Sequence, residues 1–175
     1  MTLRKLLPVF LLSVLSGSVL ADLPLQILTT DGLILGSRAD DPAIAVFRGL
    51  PYAAPPVGEN RWREPRSVAA WSGVRDATQF APRCVQGGFA PGADQPLTSE
   101  DCLYLNVWTP ATDAGAGLPV IVWIHGGGFY TGAGSAPIYD GANLASKGAV
   151  VVTFNYRLGS FGFMAHPELT AESPN

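Results

Sequence analysis

The chain has 175 residues, 47% hydrophobic and 14% charged, with 11 Lys and Arg against 14 Asp and Glu. That composition describes a chain that buries a core and excludes the disordered class, which is poorer in apolar residues and richer in charge. The basic residues are scattered from Arg38 to Arg157 without a patch or stripe, so the charge pattern gives no sign of nucleic acid or an anionic membrane surface. A small neutral molecule is the expected partner.

In chain order, residues 1–21 read as an export signal. Arg4 and Lys5 open it, Leu6 to Leu15 form a short apolar run, and Val19-Leu20-Ala21 gives a small residue for cleavage after Ala21. The run is interrupted by Pro8 and is well short of the ~20 residues that span a bilayer. The mature chain is therefore expected to be secreted or periplasmic. In that oxidising setting Cys84 and Cys102 are read as a disulfide, closing a loop with 17 residues between them. Zinc is a poor rival, because neither of the two histidines stands at C-x2-C or H-x3-H spacing to a cysteine.

Gln26 to Thr30, Asp31-Gly32 and Leu33 to Leu35 predict a strand, a tight turn and a second strand, an N-terminal antiparallel ribbon. Ile44 to Leu50 predicts another strand, ended by Pro51 and by Pro55-Pro56. Pro51 to Thr98 is rich in Pro, Gly and Arg and is expected to be irregular, pinned by Trp62 and Trp71. Leu103, Leu105 and Val107 alternate with Tyr104, Asn106 and Trp108, a period of two that predicts a strand with one more apolar face. Val120 to Ile124 and Ala149 to Phe154 are continuous apolar runs, the pattern of strands covered on both faces. Between them lies a crossover with a short helix, Asp140 near its start as a cap and Gly148 just past its end. Strand, helix, strand places the chain in the α/β class. The strand pattern is still building at Asn175, which predicts an incomplete domain over residues 22–175.

His125-Gly126-Gly127-Gly128-Phe129 follows directly on the run Val120 to Ile124. Ester hydrolysis passes through a tetrahedral intermediate with a negative oxygen, and losing one preorganised N–H donor to it costs roughly 10²- to 10³-fold in rate. Backbone amides converge on one point only where the chain turns sharply and admits the substrate closely, which glycine permits. An H-G-G-G loop after a strand is the oxyanion contributor of esterases and lipases. A phosphate cradle fits less well: neither G-x-G-x-x-G nor G-x-x-x-x-G-K-[ST] runs through Gly126 to Gly134.

Glu100 to Pro110 (E-D-C-L-Y-L-N-V-W-T-P) resembles the signature of the type B carboxylesterases and lipases, which include cholinesterases. Phe47 to Ala53, Pro55 to Gly58, Arg61-Trp62, Trp71 to Gly73, His125 to Gly134 and Asn155 to Gly159 resemble further family segments, in the family's order. The resemblance implies the N-terminal portion of an α/β-hydrolase fold, with a central mixed, mostly parallel sheet and an N-terminal antiparallel ribbon. It implies Gly127 and Gly128 as oxyanion-hole donors, Gly126 as support for the turn, a Cys84–Cys102 disulfide beside the gorge and an Arg61–Glu100 ion pair. Arg157 resembles an arginine whose acidic partner lies beyond Asn175. The Cys84–Cys102 loop is shorter than in cholinesterases, which argues against a choline site.

A serine hydrolase of this kind presents its nucleophile on G-x-S-x-G, followed by an acid and a histidine, and no such motif occurs in the 175 residues. Ser160, in L-G-S-F-G, and Ser135 are read as structural. His125 belongs to the glycine loop and His166 precedes Pro167, so neither is read as the base. The expectation is a serine esterase acting on a small neutral ester without metal or organic cofactor. Its nucleophile and triad would lie outside this chain, which alone would be inactive and poorly folded. The rival reading is an extracellular binding or adhesion relative that has lost catalysis.

Overall fold

The structure is a computed structural model that describes residues 25–87 and 97–172; the expected export signal and its cleavage point lie outside the described residues. The strands are β1 (Gln26–Leu28), β2 (Leu33–Leu35), β3 (Ser37–Arg38), β4 (Ala45–Pro51), β5 (Val74–Asp76), β6 (Arg83–Cys84), β7 (Thr98–Ser99), β8 (Tyr104–Thr109), β9 (Val120–Trp123) and β10 (Val150–Phe154). The helices are α1 (Ala142–Ala145), which precedes β10, then α2 (Gly159–Phe163) and α3 (Pro167–Glu172).

β1 and β2 form the expected hairpin, with Gln26 opposite Leu35 and Leu28 opposite Leu33. Thr29 closes the turn by donating from Oγ1 to the Gly32 carbonyl at 2.8 Å. Gly32 has φ +149°, and a Cβ there would press into the Trp71 indole at 2.6 Å. Glycine is needed both for the turn and for the room it leaves Trp71, whose Nε1 donates to the Leu33 carbonyl at 2.8 Å. β5 adds to β2 in parallel. This strand, with the pair β6 and β7, lies in the stretch the sequence reading left irregular, because two or three residues are too few to show a period.

The main sheet runs β3-β4-β8-β10-β9. It is mixed: β3/β4, β4/β8 and β8/β10 are antiparallel, and β9/β10 is parallel. β4 is buried on both faces. Ala45 and Phe47 pack with Ile34 and Ala77, while Ile44 and Val46 pack with Trp108, Ala145 and Val151. Asp140 Oδ1 accepts the Ala142 amide at 2.9 Å as α1 begins, and Gly148 at φ +94° turns the chain into β10.

Two expectations are corrected. In β8 the more deeply buried side carries Asn106 and Trp108, while Leu105 and Val107 are half-buried. Asn106 tolerates burial because it is satisfied: its Oδ1 accepts the Gly49 amide and its Nδ2 donates to Thr153 Oγ1, both at 3.0 Å. β9, expected to be covered on both faces, is the sheet edge, with 39–60% of each residue exposed. Among the described residues Tyr139 packs on the Trp123 ring and no further strand pairs with its outer side, whereas β10, flanked by β8 and β9, buries Val151 and Thr153.

Candidate oxyanion site

β9 delivers the chain into the glycine loop, and His125 is the loop's fixed end. Its ring is buried and lies on the Tyr156 ring, centroids 4.3 Å apart and nearly parallel. The Tyr156 hydroxyl donates to the His125 carbonyl at 2.6 Å, and His125 Nδ1 sits 2.9 Å from the Gly126 carbonyl. Burial pushes the His125 pKa down, partly offset by the hydrogen bond to Gly126, so the ring is held neutral. Its place is under the loop.

The left-handed part of the turn begins at Gly127, one residue after Gly126. Gly127 has φ +126°, Gly128 +60° and Phe129 +66°, whereas Gly126 lies outside the left-handed region with open space where a Cβ would sit. The Gly127 carbonyl accepts the Tyr130 and Thr131 amides at 3.1 and 3.2 Å, closing the turn on itself. A Cβ on Gly127 would collide with the Thr131 carbonyl. Neither the Gly127 nor the Gly128 amide donates to an acceptor among the described residues. Gly126 and Gly128 line an open, apolar cavity of about 430 Å³ together with His125, Phe129, Phe154 and Tyr156. Gly127, between them in the chain, is not itself among the lining residues.

The returning limb is held by side chains whose role the sequence reading did not find. Gln86 Nε2 donates to the Gly132 carbonyl and Gln86 Oε1 accepts the Gly132 amide, both at 2.8 Å. Asn155 Oδ1 accepts the Gly134 amide at 2.9 Å while its Nδ2 donates to the carbonyls of Pro82 and Cys102. Thr153 Oγ1 donates to the Gly134 carbonyl at 2.8 Å and accepts from Asn106. Asn106, Thr153 and Asn155 thus form one buried, satisfied network joining β8, β10 and the loop. At the tip the Gly159 amide donates to the Phe129 carbonyl at 2.7 Å, and Phe163 of α2 packs on the Phe129 ring.

Beside this loop Cys84 and Cys102 are joined in a buried disulfide. Arg61 pairs with both Glu100 oxygens, at 2.5 Å from Nε and 2.8 Å from Nη2, and these bonds raise the Arg61 pKa. The pair, the disulfide and Arg157 border one small crevice. Arg157 Nη1 donates to the Arg63 carbonyl at 2.9 Å. Ser160 lies in α2 and offers its carbonyl to Trp62 Nε1, while Ser135 is half-buried in the loop. His166 is exposed and its Nδ1 accepts the Glu168 amide as α3 begins. Among the described residues no three His, Cys, Asp or Glu side chains cluster as a metal site.

A family model described as "Carboxylesterase family" matches residues 24–173. The fumonisin B1 esterase of Sphingopyxis macrogoltabida is 51% identical over 148 residues, which are 84% of this chain and 27% of that protein. The acetylcholinesterase of Danio rerio is 41% identical over 176 aligned residues, 91% of this chain and 28% of that protein. A solved carboxylesterase of Geobacillus stearothermophilus superposes with a TM-score of 0.71 at 45% identity, covering 79% of this chain and 27% of its own. The chain thus spans under a third of the length of the relatives it matches.

Proposed function

From the premise that this chain belongs to the carboxylesterase family and carries part of an α/β-hydrolase fold, we propose that it supplies the oxyanion hole of a serine esterase acting on a small neutral carboxylic ester. A serine beyond residue 175, with its acid and histidine, would attack the ester carbonyl and drive the electron pair onto the oxygen. The Gly127 and Gly128 amides would donate to that oxygen as its charge develops. Held in place beforehand, they need not reorganise during the reaction, the condition under which such donors lower a barrier most. The observation that carries the reading is a pair of adjacent amides without acceptors among the described residues, at a left-handed turn whose Gly128 lines an apolar cavity.

The carbonyl enters from the apolar side formed by Phe129, Phe154 and Tyr156, and a bound ester that displaces water there strengthens each amide's pull on the oxyanion. His125, buried and neutral, supports the loop and leaves proton transfer to the histidine outside this chain. The export signal predicted from the sequence and the Cys84–Cys102 disulfide support an extracytoplasmic setting, with cleavage after Ala21 checked by sequencing the mature N-terminus.

The test is the full-length protein assayed with p-nitrophenyl butyrate, with the coding sequence read past residue 175. Turnover together with a G-x-S-x-G serine supports the proposal. A replaced serine and no turnover would make the protein the binding relative instead. Rapid turnover by residues 22–175 alone would refute a nucleophile outside this chain.

A further inference from the structure

Gly132 is the point at which the loop's returning limb meets its start. At φ +120° it lies so close under His125 and Gly126 that a Cβ would run into His125 Nδ1 and the Gly126 carbonyl. Its position therefore dictates where His125 and Gly126 lie, and they lead directly into the two proposed donors. Yet no backbone group among the described residues bonds the Gly132 amide or carbonyl. Both are taken by a single side chain, the Gln86 carboxamide, whose Nε2 also reaches the Cys84 carbonyl at 3.0 Å.

We infer that Gln86 is a positioning residue for the oxyanion amides, acting through Gly132 and resting on the proposed role of Gly127 and Gly128. A primary carboxamide presents an acceptor and two donors in one plane, so it pairs with Gly132 as a neighbouring strand would. Gln86 stands two residues beyond Cys84, whose disulfide to Cys102 fixes the base from which it reaches. The side chain lines a groove with Tyr130, Thr131 and Ser160 and is not among the residues that line the cavity. It acts only through the backbone it holds.

The experiment replaces Gln86 by Met in the full-length enzyme, keeping volume while deleting all three hydrogen bonds. A misplacement of about 1 Å costs on the order of 10²-fold, so kcat is expected to fall ten- to a hundredfold with KM within about twofold, as a loss felt only in the transition state requires. A trifluoromethyl ketone that adds the serine as a tetrahedral adduct is expected to weaken by the same factor as kcat/KM. The matching methyl ketone, bound without addition, is expected to stay within twofold. If Gln86→Met does not fold, Gln86→Glu carries the same comparison, since it keeps the acceptor for the Gly132 amide and removes both donors. Unchanged kcat, or equal weakening of the two ketones, overturns the inference while leaving the oxyanion reading intact. A wild type without esterase turnover sinks both.

Discussion

Alanine placed in turn at Gly126, Gly128 and Gly127 separates the three glycines by what each does for the loop. At Gly126 the backbone lies outside the left-handed region and a Cβ meets nothing within 4 Å, so folding stability should change by no more than ~0.5 kcal/mol. At Gly128 there is also open space, but φ is +60°, and an L-residue held there costs roughly 1–2 kcal/mol. At Gly127 a φ of +126° coincides with a Cβ driven into the Thr131 carbonyl. Strain of roughly 1–3 kcal/mol and overpacking of a further 1–3 kcal/mol then act together. Relief requires the Gly127–Thr131 turn to open, moving both proposed donors, so kcat/KM should fall at least ~10²-fold. Urea unfolding of the full-length protein and its kcat/KM for p-nitrophenyl butyrate give the two readings. The expected order of damage is Gly127, then Gly128, then Gly126. If Gly127→Ala unfolds within about 1 kcal/mol of wild type, or Gly126→Ala proves the most damaging, the loop geometry argued here is wrong.

Replacing Cys84 and Cys102 together by Ser should destabilise the protein by ~3 kcal/mol through loop entropy, measured by denaturant midpoint, with an unchanged midpoint counting against it. Tyr52, whose hydroxyl donates to the Asn155 carbonyl at 2.6 Å, has its pKa pushed up to about 12 by burial against a smaller opposing effect of Arg157. Its contribution to stability is complete below pH ~10 and lost as pH rises toward ~12, so Tyr52→Phe should flatten the alkaline limb of a stability-pH curve. His125, depressed by burial, works in the other direction. Its contribution is present above its ordinary value near 6.5 and declines as pH falls below that, so His125→Gln should weaken the acid dependence. Val122→Lys on exposed β9 should raise the soluble yield of residues 22–175 expressed alone, because a charge blunts an apolar sheet edge; light scattering of the two fragments decides it.

Much of the frame was legible because it depends on local chemistry. Asp31-Gly32 marks a turn through its backbone freedom, the Val-rich runs mark strands, and three glycines after a strand mark a place where backbone must stay bare. The groups that hold the loop were not legible. Gln86, Thr153 and Asn155 are ordinary polar residues whose partners lie 46, 19 and 21 positions away, and no period or spacing announces such a meeting. Asn106 misled the reading of β8 for the same reason: a polar residue on an alternating strand looks solvent-facing until Gly49 and Thr153 are known to meet it. β9 misled it differently, since an apolar run records the cover a strand is suited to, and the neighbours providing it are not among the described residues.

The position of β10 in the sheet governs the order in which the molecule can assemble. β8 and β9 are consecutive in synthesis, yet β10, made later, occupies the slot between them. β9 touches the sheet only through β10, so it joins either after β10 or already paired with it. The glycine loop that follows β9 is therefore seated in the sheet no earlier than β10 is.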